Sequence, residues 1–333
     1  MPESATNKIM RIAFVGKGGS GKTTLSALFS QYIKEKGPLL VVDADLNIHL
    51  PALLGFSQET SEELHISHPN TVKKIKSHLR GDNQRIKELA HFRKTTPPAS
   101  GSNLVILHNP KDPILNQFSM GNPDFRLMIV GTYDTDDIGA SCYHNNLAIL
   151  ENIISHLVDT RGNLVADMVA GVDAFANTLH SQFDMLVLVV EPTRRGLEVY
   201  AQYKKLAKEA GVADALFVIG NKVRNNADKE YLAAHIPKNQ LLGFMEDSDY
   251  LRLKDQEGGA LEVDRLEERN KTILKTITET LFSMKSDPDV RLKRLHDLHR
   301  RYVAQDFIRE RFGDLTDHID ESFDAKAQIP TDA

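Results

Sequence analysis

The sequence predicts an α/β protein with a doubly wound, mostly parallel sheet, a helical insertion and a C-terminal helical appendage. The first observation behind this prediction is that short apolar runs of strand length alternate with helical patterns along most of the chain. Many of these runs are continuously apolar, which is typical of strands buried on both faces of a parallel sheet. The second observation is that the runs stop near Leu261, beyond which the patterns are amphipathic and helical.

The predicted strands are separated by helical crossovers, as parallel neighbours require. They lie at residues 9–15, 39–42, 104–107, 127–130, 164–168, 185–190 and 216–220, with a weaker run at 240–244. One long stretch, residues 56–102, interrupts this alternation because it is polar and rich in histidine and lysine. We expect it to form a helical insertion that ends in a loop.

The C-terminal part of the chain is predicted to be helical. Residues 261–284 and 290–312 have charged amphipathic patterns, and Asp287-Pro288-Asp289 separates them. We expect the tail from about Asp324 onwards to be disordered. The chain is therefore predicted to consist of a main domain over residues 1–260 and a C-terminal extension over residues 261–333.

Composition and charge argue against several classes of protein. The 333 residues carry a formal net charge of -5, whereas sequence-independent DNA binding needs clustered lysine and arginine. Cys142 is the single cysteine, which excludes an intrachain disulfide and fits a reducing compartment. Residues 1–8 are polar, and no apolar run reaches the roughly 20 residues that a membrane span needs. We expect a cytoplasmic protein that binds neither nucleic acid nor membranes.

The most specific motif is a glycine-rich loop between the first predicted strand and a helix predicted over residues 23–36. It reads Gly16-Lys17-Gly18-Gly19-Ser20-Gly21-Lys22-Thr23-Thr24. Glycines let backbone N–H groups turn towards a phosphate, and the N-terminus of the following helix adds positive potential. A strand, this loop and a helix together make a Walker A motif, which predicts binding of a nucleoside triphosphate.

The residues of this loop have separate predicted tasks. Lys22 is expected to reach the β- and γ-phosphates, and the Thr23 hydroxyl is expected to bind Mg²⁺. The other residues are expected to surround the phosphates, and they are Gly16, Gly18, Gly19, Ser20, Gly21 and Thr24.

Two of the predicted strands run into carboxylates, Asp43-Ala44-Asp45 after the strand at 39–42 and Asp167 near the end of the strand at 164–168. In an open α/β sheet such strand ends lie beside the phosphate loop. Asp43 and Asp45 point the same way if the strand continues, so one is a candidate for the Mg²⁺ shell and the other for orienting the attacking water. A helix cap is the alternative role. Asp167 has the Walker B pattern, in which a carboxylate holds a Mg²⁺-bound water.

The base of the nucleotide is expected to lie near Asn221-Lys222, which follows the strand at 216–220. In P-loop switches this asparagine contacts the purine edge, and the lysine stem packs on the ring. A guanine-specific motif has an aspartate two residues after the lysine, where this chain has Arg224, so ATP is predicted rather than GTP. Pro192, in Glu191-Pro192-Thr193, is another candidate neighbour of the base; a plain strand-to-helix turn is the alternative.

Lys17 is not specified by an ordinary Walker A motif. The form Gly-Lys-Gly-Gly-x-Gly-Lys-Thr-Thr resembles the deviant Walker A ATPases, which include the MinD/ParA group, arsenical-pump ATPases, nitrogenase iron protein and nickel-insertion ATPases. The resemblance implies a P-loop NTPase fold and a homodimer that forms on ATP binding. In such a dimer Lys17 would reach the nucleotide of the other subunit, as an arginine finger does in trans. A solvated surface lysine is the alternative.

The same resemblance assigns roles around the γ-phosphate. It implies that Asp45 orients the attacking water and that Asp43 lies on the magnesium side. After Asp167 the chain reads Asp-x-x-Ala-Gly, the switch II pattern of that class. Gly171 would then donate its backbone N–H to the γ-phosphate and make this segment sensitive to hydrolysis.

Within this class the chain closely resembles the CooC-type nickel-insertion accessory ATPases of carbon monoxide dehydrogenase, over residues 9–258. Those proteins carry Gly-x-Gly-Cys-x-Cys before a helix, and the cysteine pairs of two subunits meet at a metal. Here the segment reads Cys142-Tyr143-His144, so a histidine replaces the second cysteine. Both residue types bind Zn²⁺ or Ni²⁺, and two chains would supply four ligands. A small buried cysteine and a capping or surface histidine are the alternatives.

These residues predict a Mg²⁺-dependent ATPase that acts as a dimeric switch on an unidentified protein client. The Cys142 segment favours a role in metallocentre maturation by nickel insertion. One alternative is a MinD/ParA-like positioning ATPase. The short, polar segment 325–333 argues against the MinD form of this role, because MinD proteins end in a membrane-binding helix. Another is a nucleotide-gated scaffold with little turnover, against which Lys22, Asp45 and Asp167 argue.

Overall fold

The computed structural model describes residues 9–45, 47–57, 64–131, 146–158, 161–171, 175 and 178–328. These residues form one sheet of eight strands: β1 (Ile9–Gly16), β2 (Leu39–Ala44), β3 (Met120–Asn122), β4 (Phe125–Ile129), β5 (Gly162–Met168), β6 (Met185–Val190), β7 (Leu216–Val223) and β8 (Leu241–Glu246). Their order is β3-β4-β2-β5-β1-β6-β7-β8, and all neighbours are parallel except β3 and β4. The chain changes direction of winding at β1, and ligands of open α/β sheets bind beside such a point.

Helices cover both faces of the sheet, because alternate residues of each strand point to opposite sides. The helices are α1 (Lys22–Ile33), α2 (Leu50–Leu54), α3 (Pro69–Arg80), α4 (Pro113–Phe118), α5 (Leu147–Ser155), α6 (Arg194–Glu209), α7 (Asn226–His235), α8 (Asp249–Glu257), α9 (Glu268–Ser283), α10 (Pro288–Val303) and α11 (Asp306–Phe312). On β1, Ala13 and Val15 pack into a core with α5 and α6, whereas Ile12 and Phe14 pack into a second core with α1 and α9. The predicted doubly wound, mostly parallel α/β fold is confirmed.

One predicted strand, residues 104–107, is wrong. Val105 joins Leu157 through a single parallel bridge, and the segment forms no strand of the sheet. Val105, Ile106 and Leu107 are buried, so the apolar pattern indicated burial and not strand pairing. The short antiparallel strand β3 was not predicted, because it contains glycine and asparagine, which are uncommon in strands.

The insertion and the C-terminal part contain helices where the sequence predicts them. In the described part of the insertion, α3 is followed by irregular chain and a short 3₁₀ turn at Leu89–His91. The helical C-terminal region is confirmed, and Asp287 caps α10 by accepting the N–H of Asp289 at 3.0 Å. None of the helices in the described ranges is long and apolar enough to cross a membrane.

An ion pair connects α10 to the sheet at the N-terminal end of β6. Arg291 Nη1 lies 2.7 Å from Asp184 Oδ1, and the two side chains are 7% and 9% exposed. The other oxygen of Asp184 accepts the backbone N–H of Arg11 on β1 at 2.9 Å. Arg291 also donates to the Ser286 hydroxyl at 2.7 Å. One carboxylate just before β6 therefore connects β1 with the helical C-terminal region.

We expect Arg291→Met to destabilise the protein by about 3 kcal/mol, because it leaves the Asp184 carboxylate buried without its cation. Arg294→Met is the matched control, since Arg294 is exposed on the same helix and its loss should change stability by less than about 0.5 kcal/mol. Urea titration followed by circular dichroism measures both. Equal stability of the two variants would contradict the role given to this ion pair.

Candidate nucleotide-binding site

The glycine-rich loop joins β1 to α1 as a tight turn in which the Ser20 N–H donates to the Lys17 carbonyl at 3.1 Å. Only glycine fits at two of its positions. A Cβ on Gly16 would lie 2.7 Å from the Val189 carbonyl oxygen, and one on Gly21 would lie 2.1 Å from Asn221 Nδ2. Gly21 is the N-cap of α1 and offers no side-chain oxygen, so the first N–H groups of α1 remain available to an anion.

Lys22 is buried at the start of α1, where it forms an ion pair with Asp45. The two residues are 5% and 7% exposed, and Lys22 Nζ donates to Asp45 Oδ2. Isolated charges are unfavourable in such an environment. Lys22 therefore needs Asp45 or another anion, and Asp45 needs Lys22 or another cation. A phosphate that bound Lys22 would therefore compete with Asp45.

Asp43 and Asp167 lie side by side, because β2 and β5 are neighbours and these two residues are in register. Both are fully buried. Burial raises the pKa of Asp43 to about 6, although N–H groups of Leu50 and Asp45 donate to its carboxylate and lower that pKa. The distances are 3.1 Å from Leu50 N and 3.2 Å from Asp45 N. The oxygens of Asp43 are thus engaged in shaping the turn that follows β2.

Asp167 is different, because its oxygens are not engaged in this way. Burial raises its pKa to about 7, while the charge of Lys22 lowers it. The Thr23 hydroxyl is near enough to lower that pKa too, but neither oxygen of Asp167 accepts a hydrogen bond of good geometry from the described residues. A buried carboxylate without such partners is unfavourable unless a cation or water binds it.

Mg²⁺ fits this group of oxygens. The ion prefers carboxylate and hydroxyl oxygens, keeps several waters and commonly shares its shell with substrate phosphates. Asp167 and Thr23 supply such oxygens beside the phosphate loop, whereas the oxygens of Asp43 already accept backbone N–H groups. Within the described ranges no three His, Cys, Asp or Glu side chains are grouped to hold a metal ion without further ligands.

Gly171 lies against the phosphate loop just after β5. Its N–H donates to the Gly16 carbonyl at 3.0 Å, and its own carbonyl accepts a hydrogen bond from the Tyr203 hydroxyl. Its φ of 85° is in the region that favours glycine. The predicted donor to a γ-phosphate is therefore beside the loop, with the Gly16 carbonyl as its present acceptor.

Asn221 and Lys222 support the phosphate loop from the end of β7. Asn221 Nδ2 donates to the Ser20 carbonyl at 2.7 Å, and Lys222 Nζ donates to the Gly19 carbonyl at 2.7 Å. Lys222 also pairs with Glu191 at 2.6 Å. Among the described residues Lys222 is the one non-glycine residue with positive φ, at 57°, and such strain is concentrated at functional sites. The role predicted for this pair towards the base stays a prediction.

The other predicted site residues lie around this centre. Lys17, Gly18 and Gly19 are exposed at the outer side of the loop, and Thr24 is half-buried in the first turn of α1. Pro192 is half-buried between β6 and α6, where Thr193 caps α6 by accepting the Gly196 N–H at 3.0 Å. That cap agrees with a plain strand-to-helix turn. Cys142 and His144 lie outside the described residues.

Two contacts of this site have no signal in the amino-acid sequence. The pairing of Glu191 with Lys222 depends on β6 and β7 being neighbours. The bond from Tyr203 to Gly171 depends on how α6 packs on the sheet. Tyr203 has the pattern of an ordinary core residue, and no motif marks it.

Comparisons with known proteins agree with this geometry. Residues 12–261 match the family described as the CobQ/CobB/MinD/ParA nucleotide binding domain. Carbon monoxide dehydrogenase accessory protein CooC of Rhodospirillum rubrum is 27% identical over 253 residues, which cover 75% of this chain and 88% of that protein. An uncharacterized ATP-binding protein of Methanocaldococcus jannaschii is 28% identical over 241 residues, covering 71% and 84%.

Solved structures of low sequence identity share the fold. A Cyanothece McdA–ATP complex superposes with a TM-score of 0.55 at 14% identity, covering 84% of this chain and 98% of that one. MinD in the MinC:MinD complex of Aquifex aeolicus gives 0.51 at 15% identity, covering 84% and 98%. Because the family match spans most of the chain, this protein belongs to the CobQ/CobB/MinD/ParA family of nucleotide-binding domains.

Proposed function

We propose that this protein is a Mg²⁺-dependent ATPase that works as a dimeric switch in the cytoplasm. The observation that carries the proposal is the position of Asp167. Its buried carboxylate accepts no hydrogen bond of good geometry from the described residues, and it lies in register with Asp43, beside Lys22 and Thr23, at the end of the phosphate loop. A buried carboxylate with so few protein partners is typical of a group that binds a cation or water.

Lys22 and Asp45 divide the work on the phosphate. Lys22 would stabilise the negative charge that develops on the transferred phosphoryl group. Once a phosphate has replaced Asp45 as the partner of Lys22, the Asp45 carboxylate is able to accept a hydrogen bond from the attacking water. Thr23 and Asp167 would hold Mg²⁺, which when bound neutralises charge on the β- and γ-phosphates.

The residues expected near the nucleotide base favour ATP over GTP. The residue two after Lys222 is Arg224, whose Nε lies 3.1 Å from Asp247 and whose backbone N–H donates to Asp228 at 2.8 Å. An acidic side chain for guanine is therefore missing at this position. The similarity to an ATP-binding protein of Methanocaldococcus jannaschii supports the same nucleotide.

The exposure of Lys17 supports a dimer. It lies on the outer side of a loop whose other lysine is buried, and exposure is what a residue needs to reach another subunit. Hydrolysis would then remove the contact of Gly171 with the γ-phosphate, loosen the dimer and release a protein client.

The biological setting that we propose is metallocentre maturation, supported by the similarity to carbon monoxide dehydrogenase accessory protein CooC. Cys142 and His144 of two chains would bind the Ni²⁺ or Zn²⁺ that is passed on. A positioning role is the alternative, which the shared fold of MinD and McdA leaves open.

Lys22→Ala should lower ATP turnover at least about a hundredfold, because it removes the cation that stabilises the transition state. Lys34→Ala is the matched control, since Lys34 follows the same helix and is exposed. Phosphate release at saturating Mg²⁺ and ATP measures both. Undiminished turnover of Lys22→Ala would refute the assignment of the site.

Lys17→Ala and Asp45→Ala should each abolish turnover, and an equal mixture should regain activity. In a mixed dimer one site keeps its own Asp45 and receives an intact Lys17 from the partner, so about a quarter of wild-type turnover is expected with random pairing. Phosphate release after mixing is the measurement. If crosslinking shows mixed dimers but activity does not return, Lys17 does not act across the interface.

Metal binding should require Cys142 and occur once per dimer. Because Cys142 is the only cysteine of the chain, Cys142→Ser removes every thiol ligand. Titration of Zn²⁺ and Ni²⁺ should show tight binding to the wild type, weakening as pH falls because the thiol must lose its proton. Equal binding by the variant would end the nickel-insertion proposal and leave the positioning ATPase as the better alternative.

A further inference from the structure

We propose that Tyr203 is a positioning residue that holds Gly171 on the phosphate loop and thereby weakens the binding of ATP relative to ADP. The inference rests on the proposed function, in which Gly171 donates its N–H to the γ-phosphate. It concerns a residue that lies on α6 and carries no sequence motif.

The Tyr203 side chain is held in one position beside the backbone of Gly171. The residue is 0% exposed, and its ring packs edge-on against Phe175 with centroids 5.4 Å apart. Its hydroxyl donates to the Gly171 carbonyl. A buried tyrosine has few alternative rotamers, so the hydroxyl stays where the helix places it.

Two hydrogen bonds to described residues hold Gly171 in place. Its N–H donates to the Gly16 carbonyl at 3.0 Å, while its carbonyl accepts the bond from Tyr203. Among the described residues, no atom beyond its chain neighbours lies within 4 Å of the position that a Cβ would take, so these residues leave the backbone room to turn. Glycine adopts many backbone conformations at low energy, and the two hydrogen bonds therefore select this one.

A γ-phosphate that accepts the Gly171 N–H must take it from the Gly16 carbonyl. The N–H and the carbonyl of Gly171 belong to adjacent peptide units that meet at its Cα. A backbone shift that brings the N–H to the phosphate would also move the carbonyl away from the buried Tyr203 hydroxyl. The Tyr203 bond thus stabilises the arrangement in which Gly171 contacts Gly16. A contact present in one arrangement and lost in the other biases the equilibrium by its own strength.

The bias applies to ATP and not to ADP, because ADP has no γ-phosphate to draw Gly171 from Gly16. Tyr203 would then set how strongly the site distinguishes the two nucleotides. The helix that carries it begins at the Thr193 cap, next to the Glu191–Lys222 pair, so α6 is anchored at the base side of the same site.

The test compares Tyr203→Phe with Tyr200→Phe. Tyr200 lies on the same helix and is also buried, and its hydroxyl donates to Gln240 at 2.7 Å, away from Gly171. Each change removes one hydroxyl, together with the hydrogen bond that it donates to Gly171 or to Gln240, and keeps the ring. Calorimetric titration with Mg²⁺ and either ADP or a non-hydrolysable ATP analogue gives both affinities, at protein concentrations where light scattering shows monomers.

Tyr203→Phe should bind the ATP analogue roughly two- to tenfold more tightly than the wild type, the range expected for one hydrogen bond, with ADP binding unchanged. Tyr200→Phe should change neither. Unchanged or weaker binding of the analogue by Tyr203→Phe overturns the inference, as does an equal gain for ADP. If the wild type binds neither nucleotide, the proposed function itself fails, and this outcome is distinct from the others.

Discussion

The buried charge at the end of β2 and β5 is the constraint on which the site depends. One lysine, Lys22, faces the carboxylates of Asp43, Asp45 and Asp167 at positions with almost no access to water. Burial raises the pKa of Asp43 to about 6 and that of Asp167 to about 7. Both groups therefore bind more protons in the folded chain than in the unfolded one, and stability from this source is lost as pH rises from about 4 through 7. A bound cation reverses this effect by favouring the ionised carboxylates.

Strand order determines which groups meet the phosphate loop. The loop leaves β1, and its supports come from both sides of that strand: Gly171 after β5 contacts Gly16, and Lys222 of β7 contacts Gly19. Because all these strands are parallel, their carboxyl ends lie at one edge of the sheet. Segments that are distant in the chain thus contribute backbone and side-chain donors to a single loop. Helix α10 of the C-terminal region contacts the opposite end of the sheet, where Asp184 precedes β6.

The sequence was sufficient for the parts of this architecture that have a periodic or local signal. The apolar runs predicted the parallel sheet, and the glycine-rich motif predicted the turn between β1 and α1 that places Lys22 and Thr23 at the start of the helix. The run at 104–107 was wrongly predicted to be a strand, because an apolar pattern indicates only that a segment is buried. A strand also needs a neighbouring strand to pair with. Contacts such as Tyr203 with Gly171 were beyond prediction, since they follow from how a helix packs and not from any residue pattern.

Two hydrogen-bond donors of the site already have partners within the protein, and a bound phosphate would have to replace those partners. Lys22 Nζ has Asp45 as its partner, and the Gly171 N–H has the Gly16 carbonyl. A phosphate that binds either donor replaces one hydrogen bond by another, so the net free energy of binding is a small difference between similar terms. Small changes in the strength of either internal contact then shift nucleotide binding without altering the fold. Under the proposed function, removing the γ-phosphate would return each donor to a partner that is already in place, so hydrolysis would reset the site without large rearrangement.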